Sequence, residues 1–311
     1  MNFQMSRRGI LFGAAAMVCG GRVTVVGAAA SAVKVDGGDV EAGKVATSGG
    51  GNAASRIAAL EKREGGRLGV EALDIASGRR IQHRSDERFG MCSTFKFLAA
   101  AAILQRVDRG TEHLDRRIEY GESDLLGYAP VSKEHVKEGG MTLADICAAA
   151  VQWSDNTAAN LILKVLGGPE VVTAFIRSTG DNVTRLDNTE PEMNVVGPGE
   201  VKNTTTAASM VGLLNSVVLG RVLSTDSRTR LQGWMLDAKV GEHRLPAGLP
   251  NGWLIAHKTG TGSDQTNDVG VVWPPNRAPI IVAVLYSRGG TPQQQRENVL
   301  RDVGRIVAAG F

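Results

Sequence analysis

Met91-Cys92-Ser93-Thr94-Phe95-Lys96-Phe97 leads into the apolar run Leu98-Ala99-Ala100-Ala101-Ala102-Ile103-Leu104, a pattern that predicts a buried helix. Residues three apart on a helix are neighbours, so the amine of Lys96 is expected beside the hydroxyl of Ser93. A serine hydroxyl is a weak nucleophile until a nearby base activates it, and a buried lysine of lowered pKa can contribute to that. Serine and lysine also occur at this spacing by chance, so the pair alone does not establish a catalytic site.

Strand patterns lie towards both ends of the chain, and a helical pattern lies between them. Strands are predicted at residues 67–75, 80–83, 253–259, 268–273 and 279–286. Helices are predicted at residues 53–64, 142–151, 157–166, 169–180, 206–219, 226–238 and 296–309. From Phe89 to about Ala238 no convincing strand is present, and residues 181–206 form a long irregular segment. The sequence therefore predicts an α/β domain (53–88 and 239–311) with an inserted helical domain (89–238).

The first 52 residues are expected to lie outside this fold. Arg7 and Arg8 precede an uncharged run from Gly9 to Gly21, and small residues follow at 28–32, which is the order of an export signal over residues 1–32. The arginine pair also suits a twin-arginine signal, so the export route stays open. Residues 33–52 are predicted to be a glycine-rich linker. We expect a periplasmic or secreted protein with no membrane contact after signal cleavage.

Composition limits the classes of partner. The formal charge of the chain is +3, but three arginines and no acid lie in residues 1–32, so the remainder is neutral. Such a surface does not predict nucleic-acid binding, and we expect a monomer. Cys92 and Cys147 are far apart in sequence, and two separate buried thiols are expected rather than a disulfide.

Three further short segments of the sequence support a catalytic role for Ser93. They are Ser154-Asp155-Asn156, Glu190-Pro191-Glu192-Met193-Asn194 and Lys258-Thr259-Gly260-Thr261-Gly262. Each alone has an ordinary interpretation as a helix cap, a solvated loop or a turn after a strand. In this order and at these separations, with S-x-x-K at Ser93, they resemble the class A serine β-lactamases over roughly residues 53–311. The resemblance implies an antiparallel sheet flanked by the N- and C-terminal helices, with the active site in the cleft beside the helical domain.

The resemblance also implies a role for each residue of these segments. Ser93 would attack the lactam carbonyl, and Lys96, or Glu190 acting through a water, would take its proton. Ser154 would protonate the leaving nitrogen, and the backbone N–H groups of Ser93 and Thr261 would form the oxyanion hole. Glu190 with Asn194 would position the hydrolytic water. The residues implied to bind substrate are Tyr128, Asn156, Arg244, Lys258, Thr259 and Gly260, and Thr261 would share in holding the substrate carboxylate.

The implied function is hydrolysis of penicillins and cephalosporins, giving antibiotic resistance, without a cofactor or metal. The alternative is a non-hydrolytic penicillin-binding or sensor domain, or a DD-peptidase, that stays acylated. Those proteins lack the loop carboxylate, so Glu190 and Asn194 favour turnover.

Two departures from the family pattern affect the specificity that we expect. Asn188 and Asn203 are amides where the family commonly has an Arg and an Asp, which predicts a loop without its ion pair, more mobile and with some access for bulky cephalosporins. Cys92 resembles the carbapenemases of the class, but Gly262 stands where they often have its disulfide partner. Carbapenem hydrolysis is therefore open but not expected.

Other enzyme classes fit the sequence less well. The histidines have no ligand spacing that would predict a zinc site; they are His83, His113, His135, His243 and His257. No G-x-S-x-G motif of an α/β-hydrolase is present, and the near match to a phosphate-binding loop at residues 252–259 has His257 in place of a glycine.

Overall fold

The computed structural model describes residues 48–311, so the predicted export signal and most of the predicted linker lie outside the described residues. The helices are α1 (Ser48–Glu64), α2 (Lys96–Asp108), α3 (Ser132–His135), α4 (Leu143–Gln152), α5 (Asn156–Leu166), α6 (Pro169–Ser178), α7 (Ala207–Leu214), α8 (Thr225–Leu236), α9 (Leu245–Gly248) and α10 (Gln293–Gly310). The strands are β1 (Arg67–Asp74), β2 (Arg80–His83), β3 (Phe89–Gly90), β4 (Arg117–Glu119), β5 (Gly140–Thr142), β6 (Thr204–Thr205), β7 (Leu254–Thr261), β8 (Gln265–Trp273) and β9 (Ile280–Ser287). Short 3₁₀ turns occupy Cys92–Phe95, Glu122–Asp124, Val136–Glu138 and Glu192–Asn194, and a π-helical turn occupies Asn215–Leu219.

A five-stranded antiparallel sheet joins the two ends of the described chain. Its strand order is β2-β1-β9-β8-β7, with β1 paired to β9 along its whole length. The alternation of β9 explains why both faces of the sheet are covered: Ile280 and Val282 face one apolar cluster, whereas Ile281 and Ala283 face the other. The α/β plus all-α prediction, with an antiparallel sheet flanked by the terminal helices, is confirmed.

The two apolar clusters lie on opposite faces of the sheet. On one face, α1 packs through Ile57 and Leu60, and α10 packs through Val303. On the other face lie α2, α4, α5, α6, α7 and α8, and residues 96–104 of α2 are buried. The division into an α/β domain and an inserted helical domain stays a prediction.

Some predicted boundaries differ from the structure. Helix α1 begins at Ser48, five residues before the predicted start at Ala53, although the glycines in its first turns are poor helix formers. The region from Phe89 to Ala238 contains β3, β4, β5 and β6. These strands are two or three residues long, too short for an alternating pattern to appear in the sequence.

Among the described residues no single helix is long and apolar enough to cross a membrane, while the bent pair formed by α5 and α6 meets the length and composition criteria together.

Candidate active site

Ser93 lies in the 3₁₀ turn Cys92–Phe95, directly before α2, rather than in the first turn of that helix. The turn is fixed from both sides. The Thr94 hydroxyl donates to the Met91 carbonyl at 2.7 Å. From β8, the Asn267 side-chain amide donates to the carbonyls of Gly90 and Met91 at 2.9 and 3.1 Å. A single asparagine therefore attaches the nucleophile's turn to the sheet.

Strand β7 passes close to the same turn because residue 260 is a glycine. A Cβ atom at Gly260 would lie 2.7 Å from the Met91 carbonyl oxygen and 3.2 Å from Cys92 Cβ. A side chain would therefore push β7 away from the Ser93 turn. This contact brings the end of β7, which carries Thr259 and Thr261, to the cleft that Ser93 lines.

The Lys96 ammonium is fully buried beneath Ser93. It donates to the Ser154 carbonyl at 2.8 Å and to Asn156 Oδ1 at 2.6 Å, and it pairs with Glu190 Oε1 at 3.1 Å. These three contacts engage each N–H of the ammonium. Burial lowers the pKa of Lys96 below its ordinary value, and the Glu190 carboxylate opposes that shift.

The Glu190 carboxylate contacts the nucleophile directly. Ser93 Oγ donates to Glu190 Oε1 at 3.2 Å, and the Asn194 amide donates to Oε2 at 2.5 Å. The backbone of Glu190 is held separately by Asn160, which donates to its carbonyl at 2.8 Å and accepts from its N–H at 2.9 Å. The Glu190–Pro191 peptide bond is cis. The carboxylate is therefore in contact with both Ser93 and Lys96.

Ser154 faces the nucleophile from the turn between α4 and α5. Its backbone has a φ of +61°, a left-handed conformation uncommon for serine. The buried Asp155 holds the turn, accepting from Ala158 N at the start of α5 and from Val131 N at 3.0 Å. Lys258 donates to Ser154 Oγ at 2.9 Å, so the proton of that hydroxyl is free to point elsewhere.

Lys258 is buried in a positive environment. Burial moves its pKa well below the ordinary value for lysine, and the charges of Lys96 and Arg244 lower it further. Its amine also donates to the Thr259 carbonyl at 2.9 Å. A lysine with this environment can change protonation state at a lower pH than an exposed lysine.

Every N–H group of the Arg244 guanidinium has a protein acceptor. Nη1 donates to the Gly260 carbonyl at 3.1 Å and the Asn267 carbonyl at 2.9 Å. Nη2 donates to Thr261 Oγ1 at 2.7 Å and to Glu297 Oε1 at 3.1 Å, and Nε donates to the same carboxylate oxygen at 3.2 Å. Arg244 therefore orients the Thr261 hydroxyl, whose own proton must point away from the guanidinium.

These side chains surround one cleft of about 380 Å³. Its lining residues are Ser93, Tyr128, Ser154, Asn156, Asn194, Val240, Gly241, Arg244, Thr259, Thr261, Gln293 and Glu297. The other predicted site residues are buried around it; they are Lys96, Glu190, Lys258 and Gly260. The structure thus places all the predicted catalytic and substrate-binding residues in or around this cleft.

Several residues of the site were not predicted from the sequence. Asn160 follows Asn156 by one helical turn of α5, so helical spacing was a signal that could have found it. Glu297, Gln293 and Asn267 carry no local signal, because they reach the site only through the pairing of β8 and the packing of α10.

The long loop has neutral contacts where an ion pair is common in the family. Asn203 Oδ1 accepts from the N–H groups of Asp187 and Asn188 at 2.9 and 3.1 Å, and its amide donates to Asn188 Oδ1 at 2.9 Å. Asn203 has a φ of +55°, which asparagine tolerates better than most residues. The predicted mobility of the loop stays a prediction.

The two thiols are separate and buried, as the sequence predicts. Burial raises the pKa of Cys92 to about 12, so the thiolate next to Ser93 is disfavoured. Among residues 48–311 no group of three histidine, cysteine or acidic side chains is arranged to hold a metal ion. The expectation that no metal or cofactor takes part stays a prediction.

Comparison with known proteins covers nearly all of the described chain. A family model described as the β-lactamase enzyme family matches residues 52–311. β-Lactamase L2 of Stenotrophomonas maltophilia is 48% identical over 257 residues, which are 82% of this chain and 84% of that protein. β-Lactamase Toho-1 of Escherichia coli is 42% identical over 257 residues, 82% of this chain and 88% of that protein. Among solved structures, an ancestral class A β-lactamase aligns with a TM-score of 0.81 at 53% identity, covering 83% of this chain and 100% of its own.

Proposed function

The chain belongs to the class A serine β-lactamases, and we propose that it hydrolyses penicillins and cephalosporins through an acyl-enzyme on Ser93. Hydrolysis of the β-lactam ring inactivates the antibiotic and gives resistance. The observation that carries the assignment of the nucleophile is the hydrogen bond from Ser93 Oγ to Glu190 Oε1 at 3.2 Å, beside the cleft. A hydroxyl in contact with a carboxylate can lose its proton as it attacks a carbonyl.

In acylation, Ser93 Oγ attacks the lactam carbonyl carbon and its proton passes to Glu190. The geometry supports Glu190 as this base rather than Lys96, since the N–H groups of Lys96 are engaged by Ser154, Asn156 and Glu190. Lys96 then stabilises the carboxylate and keeps it against the hydroxyl. The backbone N–H groups of Ser93 and Thr261 would bind the oxyanion that forms.

The ring opens when the carbon–nitrogen bond breaks and the nitrogen takes a proton from Ser154. The Ser154 hydroxyl accepts from Lys258 at 2.9 Å, so it is oriented to donate its own proton, and Lys258 is placed to replace that proton. Before the next step the proton on Glu190 is released to solvent and Lys258 takes one up from solvent. Ser154 is thus the acid of acylation, and Lys258 supplies it.

The substrate carboxylate would be bound by the hydroxyls of Thr259 and Thr261 near the Lys258 charge. Because every N–H of Arg244 has a protein acceptor, we propose that Arg244 acts through Thr261 rather than by direct contact with substrate. Asn156 and Tyr128 would contact the acylamino side chain on the opposite side of Ser93.

In deacylation, a water attacks the acyl carbonyl as Glu190 takes its proton, and the ester oxygen of Ser93 leaves with a proton returned by Glu190. Asn194 Nδ2 on the carboxylate holds the base in place. The family membership does not favour the non-hydrolytic alternative. A protein that stays acylated would not need a carboxylate that Asn194 holds in place to activate a water. We do not propose carbapenem hydrolysis, because Cys92 is a free thiol. We propose a periplasmic or secreted monomer.

A chromogenic cephalosporin tests this function. The purified protein should give sustained turnover rather than one burst equal to the enzyme concentration, and Ser93→Ala should abolish it. Ser123→Ala, at an exposed serine, is the matched control and should keep the parent rate. A single burst without turnover would instead identify a penicillin-binding protein, and activity that survives in Ser93→Ala would reject Ser93 as the nucleophile.

A further inference from the structure

Glu297 places a carboxylate oxygen without a partner in the cleft. Its Oε1 atom accepts from Arg244 Nη2 at 3.1 Å, from Arg244 Nε at 3.2 Å and from Gln293 Nε2 at 2.9 Å. Within residues 48–311 no hydrogen-bond donor contacts Oε2. Glu297 lines the cleft, and about a tenth of its side chain is exposed. The residue therefore presents one uncompensated acceptor to a bound molecule.

The charges of the cleft make this oxygen distinctive. Glu297 is the acidic residue among those that line the cleft, and Arg244 is the basic one. The other carboxylate of the site, Glu190, has both oxygens engaged, by Ser93 and Lys96 on one side and by Asn194 on the other. Arg244 has no free N–H group. A cation that enters the cleft consequently meets an acceptor that the protein itself leaves unused.

The position of Glu297 relative to the substrate follows from Thr261. Arg244 Nη2 donates both to Thr261 Oγ1 at 2.7 Å and to Glu297 Oε1 at 3.1 Å, so a single nitrogen atom separates the Thr261 hydroxyl from the Glu297 carboxylate. Under the proposed function, Thr261 binds the ring carboxylate. In a cephalosporin the C3 substituent is on the ring carbon next to the one that bears this carboxylate, so it would lie close to the Thr261–Arg244–Glu297 chain of contacts.

We propose that Glu297 selects cephalosporins with a cationic substituent at C3. The inference rests on the proposed function, since it uses the placement of the ring carboxylate at Thr261. A cation near a carboxylate in a partly buried cleft gains more than it would in water, because solvent screens the pair less. The gain should appear mainly in KM, since the C3 substituent takes no part in the attack of Ser93 on the lactam carbonyl, and acetate or pyridine leaves from it only as a consequence of ring opening.

Two cephalosporins with the same thienylacetyl side chain provide the test, one with acetoxymethyl and one with pyridiniummethyl at C3. E297Q removes the charge and keeps an oxygen that can accept from Arg244 and Gln293. We expect it to lower kcat/KM for the pyridinium compound about five- to tenfold more than for the neutral one, through KM. E242Q, at a carboxylate whose side chain is 71% exposed, is the charge-matched control and should leave the ratio unchanged.

The outcomes separate the alternatives. Equal losses for both compounds in E297Q, or the same change in E242Q, would overturn the proposal, because Glu297 would then serve only Arg244 or the general surface charge. With the parent enzyme, a cephalosporin that carries an anionic C3 substituent should have a higher KM than the neutral compound, and an equal or lower KM would overturn the proposal even if E297Q failed to fold. Failure of the parent to turn over either compound would instead reject the proposed function.

Discussion

Replacement of Glu190 by glutamine isolates the proton acceptor of the site. Glutamine keeps the size of the side chain, and its amide oxygen can still accept from Ser93 and Lys96, but it cannot take a proton. Loss of a positioned general base typically lowers a rate by about 10²–10⁴, or about 3–5 kcal/mol of activation free energy. The backbone of Glu190 should stay in place, because its contacts with Asn160 do not use the carboxylate.

We expect Glu190→Gln to lose turnover by that factor and to accumulate an acyl-enzyme with the mass of the intact antibiotic on Ser93. Stopped-flow measurement of the burst separates the two steps, and slow acylation as well as slow deacylation is expected if Glu190 accepts the Ser93 proton. Rapid acylation followed by a trapped acyl-enzyme would show that Lys96 is the base of the first step. Glu192→Gln, an exposed acid on the same loop, is the control. Steady-state turnover of Glu190→Gln within tenfold of the parent would refute the reasoning altogether.

Three more predictions concern the residues around this base. Because burial lowers the pKa of Lys258, kcat/KM should fall as the pH rises through that lowered value and the ammonium is lost. Lys258→Arg stays charged but cannot give its proton to Ser154, so it should lower kcat/KM and remove this basic limb of the pH–rate profile. A Cβ atom at Gly262 would lie 3.2 Å from Cys92 Sγ, so Gly262→Cys should form a disulfide under oxidising conditions and stabilise the fold by about 2–4 kcal/mol. The bond would be seen as the loss of the Cys92 thiol and of the introduced thiol, while Cys147 stays free. Asn203→Ala leaves two loop N–H groups without their acceptor and should cost about 1–3 kcal/mol, with faster amide hydrogen exchange across residues 187–203 and unchanged exchange in α10.

The parts of the site that the sequence predicts are those with local spacing. Ser93 with Lys96, and Lys258 with Thr261, are separated by only a few residues of the chain, so their patterns can be recognised in the sequence. Glu297 and Asn267 are defined by contacts between distant segments, and no short pattern contains them. The role of Arg244 changed for the same reason, since its acceptors come from two strands and a helix.

In the fold, too, the elements with a local sequence pattern were predicted and those that depend on distant contacts were not. The strands β1, β7, β8 and β9 were predicted close to their observed bounds, because runs of apolar residues mark a sheet that is covered on both faces. The edge strand β2 has a single buried apolar residue, Ile81, and was predicted from its place directly after β1. The strands β3 and β6 pair only Phe89 with Thr205 and Gly90 with Thr204, and two residues give no period. Their pairing depends on the course of the long loop, which is set by tertiary contacts.

The position of β9 has a consequence for the timing of folding. It is the last strand along the chain, yet it lies in the middle of the sheet, between β1 and β8. During synthesis the β1–β2 and β7–β8 hairpins cannot be joined until residues 280–287 are available. β9 follows β8 directly in the chain, but β1 is distant from it in sequence, and pairing between such distant segments is slow. A nascent chain therefore cannot complete the sheet until residues 280–287 have been made. A chain truncated before Ile280 could not form the sheet that positions the site.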